Sequence, residues 1–389
     1  MPEPLAQVRR PQIPALTSLR FFAALAIVVL HATNHGLLPA EWAQRVDLSQ
    51  AVSFFFVLSG FVLGYAYGDR PYSIRRFYRA RWARVWPAAA LSIVMVPLVL
   101  PPGLYLPPPG SSWSPGVVLL LALAGLQSLV PIPVVFFGAN AVTWSISTEA
   151  VFYVLFPWLQ RQVQLRPWRV LLLVLGIGLA LAVLAIALRL PGFAADRLQQ
   201  PVWEGLVYVN PLARLAEFLV GLLAARWYLA GVLQARLQQL AWPQSLWVVT
   251  LLELLALALL ALAPKLLQNS PLLAALAPPL QLVFLQWVYG LCFASLILVV
   301  ALQAGLFSRL LTLKAFVSLG EISYGLYLYH QIVMLRLIQV PMLSLAGHLL
   351  PRPGFVEVLG LSLLLAGLSW WLVERRCLLW LRPAGAPRE

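Results

Sequence analysis

Two histidines stand inside apolar stretches of this chain, and an ionisable side chain in such a place is a functional candidate. His31 follows Arg20 by eleven positions. Eleven residues make about three helical turns, so the two share a face and lie about 16 Å apart along the axis. A guanidinium grips phosphate oxygens in a fixed fork, and an imidazole titrates near neutrality and can move protons. His330 closes the run Leu319-Gly320-Glu321-Ile322-Ser323-Tyr324-Gly325-Leu326-Tyr327-Leu328-Tyr329-His330. There Ser323, Tyr327 and His330 recur at spacings of four and three, a polar stripe on one helix face. His31 and His330 are expected at similar depth, lining one cavity. The plainer reading is that Arg20 marks the cytoplasmic side and the histidines bond helices together. His35, one turn beyond His31, is read as interfacial.

A carboxylate joins them. In Trp144-Ser145-Ile146-Ser147-Thr148-Glu149-Ala150-Val151-Phe152-Tyr153, Glu149 falls about a turn and a half into an apolar helix, with Tyr153 one turn on. An isolated carboxylate there must be protonated, paired with a cation or turned to a wet cavity; as a structural element it would pair with an arginine or histidine. Ser59-Gly60 in a phenylalanine-rich run permits close approach of a ligand or of another helix. Arg70, Arg75, Arg76, Arg79, Arg81 and Arg84 lie within fifteen residues and lead into Trp86-Pro87. They read as phosphate ligands, Arg81 and Arg84 foremost, or as contacts to anionic lipid. Glu217 and Glu374 are further buried or boundary acids, and Glu253 has no evident role.

The elements that must position these residues follow from composition. Of 389 residues 61% are hydrophobic and 10% charged, against roughly 45–50% and about 25% in soluble domains. Ten segments are long enough to span a hydrocarbon core of about 30 Å, near 20–38, 51–68, 82–100, 144–159, 168–188, 211–230, 245–263, 280–303, 317–338 and 354–374. The segment 115–130, flanked by prolines, is short, and a full crossing would turn the later arginine-bearing connections outward; it reads as re-entrant or interfacial. The expected fold is all-α, a polytopic transmembrane bundle forming one domain over 1–389, with short cytoplasmic tails near 1–19 and 375–389. Net charge is +14, but the basic residues gather beside apolar runs, which argues for topology and membrane lipids and against nucleic acid. Cys292 and Cys377 are far apart with no CxxC spacing, so neither a disulfide framework nor a metal site is expected.

Taken together, the motifs resemble the acyltransferase 3 family of membrane-bound O-acyltransferases. Arg20 and His31 match its arginine and histidine with ten residues between them, and Ser59-Gly60-Phe61 its Ser-Gly-Phe. Arg81, Arg84 and Pro87 match its Arg-x-x-Arg-x-x-Pro, Trp144 to Glu149 looks like its Trp-Ser/Thr-Leu-Ser-x-Glu, and Glu217-Phe218 with Gly221 and Ser323 to His330 match its Glu-Phe-x-x-Gly and its late Ser-Tyr-x-x-Tyr-Leu-x-His. Ala150, Ile332 and Glu374-Arg375-Arg376 depart from the pattern. The resemblance implies transfer of an acyl group, often acetyl, from cytoplasmic acyl-CoA to a hydroxyl of a carbohydrate or lipid-linked glycan. The setting would be the cell envelope, in a bacterial inner or plasma membrane, in a stand-alone member without a C-terminal esterase-like domain. His31 would be general base or acyl carrier, with Glu149 orienting its imidazole and His330 beside it. Arg20, Arg81 and Arg84, with Ser59 and Trp144, would hold the donor, and Tyr153, Ser323 and Tyr327 the acceptor. A transporter using the same polar groups is the competing class; it would show inverted repeats with paired broken helices, and none is evident.

Overall fold

The computed structural model describes residues 10–42, 47–107, 110–339, 344–345, 348–349 and 353–380; the extreme tails, Arg9, Pro108-Pro109 and Arg352 lie outside them. The principal helices are α1 (Pro14–Asn34), α2 (Ala51–Tyr67), α3 (Ile74–Val99), α4 (Pro115–Ala124), α5 (Trp144–Leu165) and α6 (Pro167–Ala187). They continue as α7 (Pro211–Leu229), α8 (Trp242–Gln268), α9 (Pro278–Ala301), α10 (Leu306–Leu311), α11 (Lys314–Gln339) and α12 (Phe355–Ser369). A π-turn, Trp370–Glu374, carries α12 on to a last helix, Arg375–Trp380. Proline opens α1, α4, α6, α7 and α9, where its missing N–H costs nothing and its fixed φ suits the helix. The described β-structure is one antiparallel ladder pairing Ser344–Leu345 with His348–Leu349.

Among the described residues, eight helices are long and apolar enough to cross a membrane. The other two of the ten expected spans are α5 and α11, with 22 and 26 residues. They are long enough but more polar, because they carry Glu149, Arg161, Lys314, Glu321 and Arg336. The 115–130 segment folds as the ten-residue α4, closed by Gly125 at φ 68°. Ten residues rise about 15 Å, half the hydrocarbon thickness. Ser147 ties this segment to α5, donating to the Gly125 carbonyl at 2.6 Å and pairing with the Ser128 hydroxyl at 2.7 Å.

Two boundaries differ from expectation in ways that matter to the site. Helix α1 begins six residues before Arg20, which puts Arg20 about 9 Å inside the helix and His31 near its far end. Arginines 75 to 84 are themselves helical, because Ser73 caps α3 by accepting from the Arg76 N–H at 3.4 Å.

Missing side chains set the closest helix contacts. A Cβ on Gly60 of α2 would strike the Phe218 carbonyl of α7, and one on Gly221 would strike the Val57 carbonyl of α2. The Ser-Gly-Phe and Glu-Phe-x-x-Gly elements are therefore the two halves of one interlock. Gly320 of α11 likewise abuts the Thr17 carbonyl of α1, which seats the two histidine-bearing helices against each other.

Glu253, without a role in the sequence, receives one here. Its carboxylate is buried and accepts from the Phe307 and Ser308 N–H groups, each at 2.9 Å. Thr250 adds a third acceptor, for Leu306 N–H at 3.1 Å. The first turn of α10, whose amides have no partner within the helix, is thus capped from α8. Replacement Glu253→Ala is expected to cost about 2 kcal/mol or more, since hydrogen bonds to a charged group are lost. Thermal unfolding of the purified protein in detergent measures this; an unchanged midpoint would rule the cap out. Gly221→Val is expected to lower the midpoint further, because two backbones must part.

Candidate active site

Helices α1 and α11 bring the histidines into direct contact. His31 Nδ1 lies 2.7 Å from His330 Nε2, with the rings stacked at 5.0 Å between centroids. His330 Nδ1 lies 3.1 Å from the Leu326 carbonyl. A carbonyl only accepts, so His330 Nδ1 carries the hydrogen and, in the neutral ring, Nε2 is bare. His31 Nδ1 must then donate to it, which leaves the lone pair of His31 on Nε2. His330 is fully buried and His31 half-buried. His35, just past the end of α1, is held below the usual imidazole range by burial.

A separate cavity opens further toward the start of α1. Arg20, Ser59, Arg81, Arg84, Glu149, Tyr153, Ser323 and Tyr327 all line it, with Phe55, Phe56 and Ser145. Eight of the eleven site residues expected from sequence thus share one space. Among the described residues Arg20, Arg81 and Arg84 have neither an ion pair nor a side-chain hydrogen bond. Arg84 stacks on Trp370, 5.5 Å from the ring centroid. Glu149 is the cavity's one carboxylate, and it is occupied by Ser59, donating at 2.6 Å, and Tyr153, at 2.5 Å. Three guanidiniums against one hydrogen-bonded carboxylate leave an excess of positive charge, a receptacle for anions.

Several expectations change. Glu149 does not orient His31; that place is taken by His330. Trp144 does not line the cavity but is buried against Tyr208, at 5.1 Å, and Phe56, at 6.3 Å. The histidines do not line it either. Between it and them stands Tyr327, whose hydroxyl pairs with Ser145 at 2.7 Å and whose ring lies 6.1 Å from that of His330. Tyr327 and Tyr153 are engaged within the protein, and the Ser323 hydroxyl donates to the Gly320 carbonyl at 2.7 Å. The arginine run divides: Arg81 and Arg84 turn inward, while Arg75, Arg76 and Arg79 are exposed.

Sequence reasoning missed Ser145, Trp370 and Arg214. Arg214 is fully buried, 2.7 Å from Glu217 in an i,i+3 ion pair, and donates to Ser53 at 3.0 Å. Its guanidinium lies 5.1 Å from the Phe56 and Tyr208 ring centroids. The signal was available, since two opposite charges three apart within one apolar helix face each other.

These features define a polytopic α-helical membrane protein with an arginine-lined cavity and a paired-histidine centre buried in the bundle. The chain belongs to the acyltransferase 3 family, whose acyltransferase domain matches residues 13–374. It is similar to the acyltransferase MdmB of Streptomyces mycarofaciens, with 32% identity over 240 residues, 57% of this chain and 59% of that protein. It is also similar to protein 2 in the picA locus of Rhizobium radiobacter, with 40% identity over 86 residues, 21% of this chain and 42% of that one. The matched regions thus span less than two thirds of either relative. No solved structure matches.

Removing Arg214 alone leaves Glu217 buried without its cation, which costs about 3–5 kcal/mol. Arg214→Met is expected to unfold at clearly lower temperature, and Arg214→Met with Glu217→Gln to recover much of the loss. Equal loss in both variants would mean that the pair does not act as a unit.

Proposed function

We propose that this protein is an acyl-CoA-dependent O-acyltransferase that moves an acyl group, acetyl by preference, to a hydroxyl of a carbohydrate or lipid-linked glycan in the cell envelope. The observation that carries this reading is the cluster of three arginines in one cavity, none of them in an ion pair among the described residues. An acyl-CoA brings several phosphate charges, and arginine is the side chain suited to them. The positive-inside tendency of the basic residues supports placing this end of the bundle, and both termini, in the cytoplasm of a bacterial inner or plasma membrane. Arg20 and His31 are about 16 Å apart along α1, comparable with the reach of a pantetheine arm.

The histidine pair supplies the proton chemistry. The acceptor O–H gives its proton to His31 Nε2, and the oxygen attacks the thioester carbon. The C–S bond breaks as the ester C–O bond forms, and the thiolate leaves with the proton returned by His31. His330 acts as a positioning residue. Tied by Nδ1 to the Leu326 carbonyl, it accepts from His31 Nδ1, fixes the tautomer and stabilises the imidazolium, the part a carboxylate plays in other catalytic histidines. If His31 instead carries the acyl group, the same bare Nε2 is the nucleophile. Glu149 contributes by holding Ser59 and Tyr153 and by tempering the charge of the three arginines.

With labelled acetyl-CoA and membranes containing the protein, His31→Ala is expected to abolish transfer, and His330→Ala to lower kcat by about a hundredfold or more, the scale of general-base contributions. Transfer should fall as pH is lowered, because a protonated His31 has no lone pair. Unchanged transfer in His31→Ala rejects this mechanism. Arg81→Gln and Arg84→Gln are each expected to raise KM for acetyl-CoA about tenfold, as loss of a charge-assisted hydrogen bond requires, with the acceptor KM little changed.

A further inference from the structure

Every hydroxyl among the described residues that line the arginine cavity spends its hydrogen inside the protein. Ser59 and Tyr153 donate to Glu149 at 2.6 and 2.5 Å. Ser323 donates to the Gly320 carbonyl at 2.7 Å, and Tyr324 to the Val85 carbonyl at 2.9 Å. The Ser145 and Tyr327 hydroxyls lie 2.7 Å apart and reach the same Val142 carbonyl, at 2.9 and 3.1 Å. Their two hydrogens are taken by that carbonyl and by each other. The side-chain donors left to a ligand are the guanidiniums of Arg20, Arg81 and Arg84.

Those guanidiniums stand at one end. Helices α1 and α11 run parallel, since Gly320 abuts the Thr17 carbonyl and His330 meets His31 further on. Arg20 and Ser323 each follow the first of these contacts by three residues and so share a level. Tyr324 joins that level to Val85, the neighbour of Arg84. One turn on, about 6 Å, the lining changes from Ser323 to Tyr327 on α11, from Ser59 to Phe55 on α2 and from Glu149 to Ser145 on α5. Here the Phe55 and Tyr327 ring centroids are 5.9 Å apart, which is contact distance. Val52, Phe56 and Ile146, all buried, complete an apolar wall, while Phe55 is only half-buried. The Tyr327 ring is also 6.1 Å from that of His330, so the apolar end is the one beside the histidine pair.

Resting on the acyl-transfer reading above, with donor phosphates at the arginines, we infer that this inner end is the acyl subsite. It takes a short, unsubstituted alkyl acyl group, and Phe55 is the residue that limits its length. An acyl group ending in a carboxylate or a hydroxyl would lose its water there and find no free side-chain donor to replace it. A longer alkyl chain runs into the touching rings of Phe55 and Tyr327.

The test needs no acceptor. Labelled acetyl-CoA bound to the full chain in lipid nanodiscs is displaced with unlabelled acetyl-, butyryl-, hexanoyl- or succinyl-CoA. In the parent protein butyryl-CoA is expected to compete about as well as acetyl-CoA, and hexanoyl- and succinyl-CoA at least about tenfold less well. Phe55→Ala should bring hexanoyl-CoA to within about twofold of butyryl-CoA and leave succinyl-CoA weak. Phe55→Trp should weaken butyryl-CoA about tenfold relative to acetyl-CoA, the scale of a misfit of one or two methylenes; if the alanine variant does not fold, this variant decides. Succinyl-CoA competing as well as butyryl-CoA in the parent overturns the apolar subsite. The same ranking of chain lengths in the parent and in the folded Phe55 variants overturns the role of Phe55. Both results leave the acyl-CoA reading intact, whereas a parent protein that binds no acetyl-CoA overturns that reading and the subsite together.

Discussion

Charge placed among apolar helices must be answered by an opposite charge, by hydrogen bonds or by a wet cavity, and this constraint organises the bundle. Glu253 is answered by the free amides of α10. Arg214 and Glu217 answer each other, with two aromatic rings against the guanidinium. Arg20, Arg81 and Arg84 are answered only in part, since the carboxylate beside them is already taken by Ser59 and Tyr153. The first two arrangements are closed and structural. The third leaves an excess of positive charge facing a cavity.

The histidines obey a related rule. Two neutral imidazoles can share one hydrogen if a third group decides which nitrogen carries it, and the Leu326 carbonyl decides. That geometry depends on α1 and α11 touching at Gly320, where even a methyl group would drive the helices apart. The interlock at Gly60 and Gly221 does the same for α2 and α7. Motif glycines here act through helix separation, and the contact of the two histidines is a consequence.

Under the proposed acyl-transfer reading, the distance between the arginines and the histidines has a physical logic. An imidazole base must be neutral to accept a proton, and donor phosphates bound directly beside it would favour its charged form. The Tyr327–Ser145 contact stands between the arginine cavity and the histidine pair.

The sequence by itself determined the all-α membrane character, the positions of the long helices to within several residues, the short 115–130 segment and the identity of most polar groups in the core. These are legible because hydropathy over about 20 residues and helical spacing are local properties. The Arg214–Glu217 pair was equally local, three residues apart. What only the tertiary structure decided is which polar groups meet. His31 and His330 are separated by 299 positions in the chain, Ser59 and Glu149 by 90, and Glu253 and the amides it caps by about 55. Their contacts depend on helix order, rotation and close approach, so the expectation that Glu149 steadies His31 gave way to a histidine partner. The two histidines were readable as a pair of candidates, but their hydrogen bond, and with it the nitrogen left free to act, exists only where the backbones of α1 and α11 come together.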